Sequence, residues 1–362
     1  MNIKIISDEK NWMESEAIHQ LEKVAAYRGV TAAVAFPDLH PGRVPVGMAI
    51  AAEGIIYPHL IGNDIGCGMS FYRLGVEGRK ISAEKAAQGL KNALAEENAA
   101  IAPDDFATPY ASALGTVGSG NHFAELGEVF EIHNAALAER LGLSKREATL
   151  IVHSGSRGYG QHIYEKTLET PNIIAGFEEG TEPYVRYMEL LRDALQWSKK
   201  NRALIAENFL KQGKIRAKAI KLCESVHNTI SKDSVHGKTV HIHRKGASEA
   251  YDEPLIIPGS RDSLSYVVLP LPPCEDTCFS VSHGAGRKWN RTFCKGRLDK
   301  KYTKSSCVTE KYRSRFVYPD REAIYEEAPE GYKDIAHVIE IMERHGLIRV
   351  IADVKPLVTF KG

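Results

Sequence analysis

The segment Gly62-Asn63-Asp64-Ile65-Gly66-Cys67-Gly68 constrains this chain more than any other stretch. Its glycines let the backbone bend sharply and approach a neighbour closely. The same loop carries a carboxylate and a thiol, which packing alone does not require. An Asp oxygen and a Cys thiolate are a hard and a soft donor for one cation or for two adjacent ones. Alone, the loop reads equally well as a solvent-facing turn with a capping Asp and an inert Cys. The histidines elsewhere in the chain shift that balance.

Four of them stand in settings that a core histidine does not need. His122 follows Gly118-Ser119-Gly120-Asn121, and His153 ends the apolar run Thr149 to Val152 and opens a Ser/Gly turn. His227 precedes Asn228, and His283 opens His-Gly-Ala-Gly-Arg. Each by itself is more readily a hydrogen-bonded structural residue than a ligand. Histidine is nevertheless the commonest metal ligand, and strand ends and glycine turns are where ligands converge. With Asp64 and Cys67 these positions can supply a binuclear site bridged by the thiolate. The mixed O/N/S donor set suits manganese, zinc or iron without choosing among them.

Three further motifs suit anions: Ser154-Gly155-Ser156-Arg157, Pro258-Gly259-Ser260 with Ser265, and Gly284-Ala285-Gly286-Arg287 with Arg291. They offer hydroxyls, backbone N–H groups and guanidinium forks that match phosphate oxygens. Neither a Walker-type Gly-Lys-Ser/Thr nor a strand followed by G-x-G-x-x-G is present, so the usual nucleotide cradles are missing. From the residues alone, the reading is a metal-dependent enzyme acting on phosphate groups.

The 47 basic and 46 acidic residues give a net charge of +1, so binding to a polyanion has to rest on local patches. One lies between Lys295 and Arg315, with eight Lys/Arg against two acidic residues and with Tyr302 and Tyr312 interleaved. It is read as an RNA contact, and a solvated loop is the plain alternative. Six scattered cysteines in a chain of 362 residues point to a reducing compartment. The spacing of Cys274 and Cys278 has no second pair to complete a zinc site. No signal sequence and no apolar run of membrane-spanning length is seen, which places the protein in the cytoplasm.

Periodicity predicts a strand over Asn2 to Ile6 and a helix near Glu14 to Tyr27, then strands at Thr31 to Phe36 and Val46 to Ala52 flanking a turn, Pro37 to Gly42, that carries an exposed Asp and His. A strand at Met69 to Leu74 precedes a helix from Ser82 to Ala100. Helices are expected near Asn134 to Leu143, over Pro183 to Lys211, over Ile215 to Ile230 and over Lys333 to His345. Short strands are expected at Thr239 to His243, Leu255 to Ile257, Ser265 to Leu269 and Cys278 to Ser282. No repeat or linker divides the chain, so residues 1–362 are expected to form one compact mixed α/β (α+β) domain with a shared site. Residues 292–318 would be a basic insertion or mobile loop.

Over nearly its whole length the sequence resembles the RtcB family of RNA ligases. The segments that carry the resemblance are Phe36-Pro37-Asp38-Leu39-His40, Gly62 to Gly68, Gly115 to Glu125, His153 to Gly158, His227-Asn228, His243 to Ala247, Pro258-Gly259-Ser260, His283 to Arg287 and Lys361-Gly362. The resemblance implies a β-sheet core surrounded by helices with a central binuclear metal site. It implies GTP and two Mn²⁺ as cofactors. The substrates would be RNA ends bearing a 2′,3′-cyclic phosphate or 3′-phosphate and ends bearing a 5′-hydroxyl, such as tRNA halves or nicked rRNA.

By the same resemblance, Asp64, Cys67 and His122 would hold one Mn²⁺, and Cys67, His153 and His227 the other. His283 would be the nucleophile that becomes guanylylated. Asn121, Glu125, Ser260, Ser265, the Gly284-Ala285-Gly286 turn and Lys361 would contact the guanylate. Arg157, Arg287 and Arg291 would grip phosphates. The chain departs from the family pattern at Leu126, often a polar phosphate contact, and at Asn63, usually apolar, and it is shorter than many members. These features resemble the subgroup associated with peptide release factor H, which points to rRNA repair. Two other readings use the same residues: a phosphoesterase or cyclic phosphodiesterase without a covalent step, and a non-catalytic RNA- or ribosome-binding factor.

Overall fold

The computed structural model describes residues 2–95, 110–170, 173–272, 274–303, 307–319 and 322–362. In chain order the first elements are β1 (Asn2–Ile5), α1 (Ser15–Ala25), β2 (Val30–His40), β3 (Val46–Ala52), β4 (Ile55–Ile56), β5 (Gly68–Glu77) and α2 (Ala83–Ala95). They are followed by β6 (Phe123–Ile132), α3 (Ala135–Leu141), β7 (Glu147–Ser154), α4 (Arg157–Leu168), β8 (Phe177–Glu178), α5 (Glu182–Gln212), β9 (Ile220–Val226) and β10 (Asn228–Val235). Then come β11 (Lys238–Lys245), β12 (Ala247–Glu249), β13 (Leu255–Ile257), β14 (Ser265–Pro270), β15 (Ser280–Ser282), α6 (Arg291–Leu298), β16 (Arg315–Val317), α7 (Ala323–Glu326), α8 (Ile335–Arg344) and β17 (Ile348–Phe360). The class is mixed α/β, with helices laid over sheets.

One sheet runs β1-β2-β3-β11-β10. Both faces of β2 and β3 are covered, which is why these two strands are nearly all apolar. Val34, Phe36, Ala49 and Ala51 pack with Ile335, Val338, Ile339 and Met342 of α8. The alternate residues Ala33, Ala35, Met48 and Ile50 pack with Ala17, Leu21 and Val24 of α1. The larger sheet runs β13-β14-β17-β6-β7-β5-β9, with β16 parallel beside β17. Leu126, Leu150, Val152 and Val358 face Leu90 of α2 and Ile205 and Phe209 of α5. On the other face Met69, Phe71, Ile151 and Val354 pack with Ala138 of α3. No helix among the described residues is long and apolar enough to cross a membrane.

Two expectations need correction. Residues 220–226 and 228–235 are strands, not the expected helix, because their buried side chains alternate (Cys223, Ser225, His227), a period of two that interspersed Lys and Glu disguise. Asp38 is buried and His40 half-buried, not exposed: β2 continues through Pro37 to His40, with a bulge between Ala35 and His40 that accommodates the missing N–H. Helix α4 was not foreseen, since glycines inside Arg157-Gly158-Tyr159-Gly160 argue against helix. Within residues 292–318 lie most of α6 and all of β16, and Lys295 and Lys301 pair with Glu322 (2.8 Å) and Glu330 (2.5 Å). The helix expected from Ser82 to Ala100 is found up to Ala95, and its remainder lies outside the described residues.

Candidate active site

The order β6-β7-β5-β9 lines up one end of four neighbouring strands. Gly68, the first residue of β5, pairs with Ser154 at the end of β7 and with Val226 at the end of β9, while Phe123 of β6 pairs with His153. Cys67, His153, His227 and His122 therefore arrive at the same edge, each at or next to a strand end. Gly68 shows why the loop is glycine-rich: a Cβ there would stand 2.1 Å from the Ser225 carbonyl oxygen. The strands could not close around a larger residue.

The side chains form a continuous row. His122 Nε2 is 2.8 Å from Asp64 Oδ2 and 3.3 Å from Cys67 Sγ. Cys67 Sγ is 3.1 Å from His153 Nε2, which is 3.3 Å from His227 Nε2. The His227 ring lies 4.7 Å, centroid to centroid, from that of His283. Two triplets sharing Cys67 result, Asp64/Cys67/His122 and Cys67/His153/His227. Burial above all, with lesser contributions from the crowding of neighbouring imidazoles, holds His153 and His227 well below their ordinary pKa. Both imidazoles are thus neutral, with lone pairs to offer. His153 Nδ1–H donates to the Asn121 carbonyl at 3.1 Å, which directs Nε2 into the row.

A divalent cation fits these donors. The Cys67, His122 and His153 ligand atoms lie within 4.8 Å of one another. Burial and the Asp64 carboxylate push the Cys67 thiol far up, so its thiolate needs a cation to form. His227 Nδ1 is buried without a partner among the described residues.

The row is braced from beneath by residues that the sequence did not flag. Arg202 of α5 is fully buried and donates through Nη1 to the carbonyls of Gly66 and Ser154, both at 2.8 Å. Asn201 accepts from Gly115 N–H at 2.7 Å. Asn228 donates to the Asp64 carbonyl at 3.0 Å and accepts from Gly246 N–H at 3.0 Å. Their only sequence signal is polarity on the inner face of a long amphipathic helix, and the His-Asn pair at the sheet crossing.

Beside the row opens a cavity of about 340 Å³, lined by Asn121, Glu125, Ser260, Ser265, the Gly284-Ala285-Gly286 turn and Lys361, among others. His283 lies on its wall and donates through Nδ1–H to Asp38 Oδ2 at 2.7 Å. Asp38 is completely buried, not exposed as its turn-like surroundings indicated. Gly286 has φ +71° and lies so close to Asp38 that a Cβ would meet its carbonyl oxygen at 2.4 Å. Glu125 accepts from the Thr359 hydroxyl at 2.5 Å, and burial pushes its carboxyl up to about 7 against that hydrogen bond. Leu126, next along β6, turns to the opposite face and is part of the core, so its apolar character does not alter the cavity.

Lys361 donates to the Gly120 carbonyl at 2.5 Å and pairs with Glu327 at 3.0 Å. Burial raises the Glu327 carboxyl, but Lys361 and Arg291 outweigh it and hold the group at about 2. The arginines are less uniform than expected. Arg291 borders the cavity but is bound to Glu326 and Glu327 at 2.8 and 2.7 Å. Arg287 is committed to the Trp289 and Glu326 carbonyls, the Tyr332 hydroxyl and Cys294. Arg157 stands by the metal row, with Nη1 3.4 Å from His122 Nδ1.

A buried cluster of imidazoles and a thiol, beside a cavity lined by hydroxyls, glycine turns and Lys and Arg side chains, is an arrangement suited to metal-dependent phosphoryl transfer. The family model described as tRNA-splicing ligase RtcB matches residues 20–103 and 91–362. The chain is 38% identical to the RNA-splicing ligase RtcB2 of one Escherichia coli strain, over 99% of this chain and 95% of the relative. It is 28% identical to the RNA-splicing ligase RtcB of Escherichia coli K12, with both chains covered in full. It is 26% identical to the tRNA-splicing ligase RtcB of Archaeoglobus fulgidus, over 97% and 92%. The chain belongs to the RtcB family of RNA ligases.

Proposed function

We propose that this protein is a GTP- and manganese-dependent RNA ligase. It joins RNA ends bearing a 2′,3′-cyclic phosphate or 3′-phosphate to ends bearing a 5′-hydroxyl, by way of a guanylylated His283. The observation that carries this reading is the contact of His283 with both Asp38 and the metal-ligand row. Because Nδ1–H is given to the Asp38 carboxylate, the Nε2 lone pair is free to act as a nucleophile.

Attack of Nε2 on the α-phosphorus of GTP forms an N–P bond and releases pyrophosphate. The imidazole becomes cationic, and Asp38 offsets that charge. An RNA 3′-phosphate oxygen then takes the guanylate, breaking the N–P bond and restoring neutral His283. The 5′-hydroxyl attacks the activated 3′-phosphate, losing its proton and expelling GMP. A cyclic phosphate is first opened by hydrolysis. Manganese held by Asp64, Cys67, His122, His153 and His227 would neutralise phosphate charge and lower the pKa of a bound water.

In this reading Glu125 accepts from the N1–H and amino group of guanine, while Lys361, Asn121, Ser260, Ser265 and the Gly284 to Gly286 turn hold the rest of the guanylate. Arg157 and Arg291 meet RNA phosphates, Arg291 by exchanging one of its carboxylate partners. The free cysteines suit a cytoplasmic enzyme. The resemblance to the release-factor-H subgroup directs it to nicked rRNA in preference to tRNA halves, in functional association with a release-factor-like protein.

Incubation with α-labelled GTP and Mn²⁺, followed by a denaturing gel, tests the central step. Wild type should carry acid-labile, base-stable label, and His283→Ala should carry none while still binding metal. Label that persists in the variant would remove His283 from its role.

A further inference from the structure

Arg261 lies between β13 and β14 and lines both the cavity described above and a second hollow of about 460 Å³. It is only 6% exposed, yet its Nε and Nη1 have no hydrogen-bond partner among the described residues. Its guanidinium carbon packs 4.9 Å from the centre of the Tyr302 ring and 5.0 Å from that of Phe316. The carboxylate of adjacent Asp262 is occupied by the backbone N–H groups of Lys311 and Tyr312, at 2.9 and 2.8 Å. A guanidinium is always charged, and a buried charge without a partner is costly. Aromatic rings compensate the faces of the ion. Its edges, where the N–H groups are, are left for an acceptor from outside the chain.

Strand register says what that acceptor is. Glu125 of β6 pairs with Thr359 of β17, and Thr359 pairs with Phe316 of β16. Directly paired residues share a face, so Glu125, Thr359 and Phe316 form a row across three strands, with Arg261 against its Phe316 end. Glu125 and Phe316 are two strand spacings apart, roughly 10 Å. Glu125, Thr359, Phe316 and Arg261 all line the cavity, so a ligand in it has a carboxylate toward one end of the row and a guanidinium toward the other. Guanine has donors on its N1/N2 edge and acceptors at O6 and N7; adenine places a donor where O6 would be. A phosphodiester is a poorer match, because in the second hollow Lys288, Lys301, Lys311 and Lys333 are offset by Asp262, Glu310, Glu330 and Asp334.

We propose that Arg261 reads the O6/N7 edge of guanine in GTP and so sets the base specificity of the nucleotide site; this rests on the GTP reading above. The test is equilibrium binding of GTP, 7-deaza-GTP and ATP to the Mn²⁺-loaded full chain in a His283→Ala background, where no guanylylation consumes the nucleotide, with Arg261 kept (wild type at this position) or changed to Met (Arg261→Met). The 7-deaza analogue lacks the N7 acceptor but keeps the N1–H and amino donors, and its use on wild type does not depend on how a variant folds. Wild type should bind GTP about tenfold more tightly than 7-deaza-GTP. Arg261→Met should bind the two equally, lose about tenfold of its preference for GTP over ATP, and melt no lower than wild type without nucleotide.

A wild-type ratio of one, or an unchanged tenfold ratio in the variant, overturns the proposal. Unchanged ratios with weaker binding of a 3′-phosphorylated oligoribonucleotide would assign the guanidinium to an RNA phosphate instead. Unchanged ratios with lower melting would mark it as structural. GTP binding without base discrimination at Arg261 leaves the ligase reading standing, whereas no GTP binding at all removes both.

Discussion

At the scale of residues, the site works by fixing which imidazole nitrogen is free. Asp38 does this for His283 and the Asn121 carbonyl does it for His153. Asp38→Asn keeps the shape but loses the charge that offsets a cationic His283. Labelling kinetics should show guanylylation slowed by roughly a hundredfold in rate, with little change in the GTP concentration for half-saturation. Rescue of the rate would not be expected from raising GTP. The metal and nucleophile candidates were legible in the sequence because glycine turns beside His, Cys and Asp are unusual for packing. Asp38 was legible only as part of a turn-like motif, since nothing local reveals that β2 carries it inward. Arg261 was not legible at all, because the absence of a partner is a property of residues far away in sequence.

At the scale of elements, Cys67, His122, His153 and His227 each sit at or beside a strand end, and Asp64 lies in the loop before β5. That placement made Thr149 to Val152 and Met69 to Leu74 readable, as short apolar runs bounded by glycine and polar residues. It also caused the error at His227, where two strands meet at a single buried residue and their charged outer faces imitate a helix. The end of β17 delivers Lys361 to the cavity, with its backbone N–H bonded to the Val317 carbonyl at 2.9 Å. Lys361→Met leaves Gly120 without its donor but leaves Glu327 paired with Arg291. The expected result is a stability loss of about 1–3 kcal/mol in thermal melting, against a loss of guanylylation greater than tenfold. Equal losses in both would argue that Lys361 is merely structural.

At the scale of the whole molecule, the metal row ties together parts of the chain from Asp64 to His227 and lies where one sheet hands over to the other. An ion bound there has no equivalent site in the unfolded chain, so binding should appear as stability. Manganese at a hundred times its dissociation constant is expected to add about 2.7 kcal/mol. Cys67→Ser, which removes the donor common to both triplets, should reduce the bound manganese per chain by elemental analysis and abolish most of that gain. An unchanged melting temperature of wild type in excess manganese would count against a metal in the row. The mixed α/β class was readable from alternating patterns. The pairing of strands was not, because register depends on partners far apart in the chain.

That pairing has a consequence for how the protein is made. Strand β17 follows all the other strands in the chain, yet it lies in the interior of its sheet, between β14 and β6. Until residues 348–360 leave the ribosome, β14 and β6 each present an open edge, and the neighbouring strands are already able to form. A growing chain thus passes through a stage in which two sheet edges lack the strand that covers them. Stalling or truncation just before β17 should yield aggregates more readily than truncation much earlier.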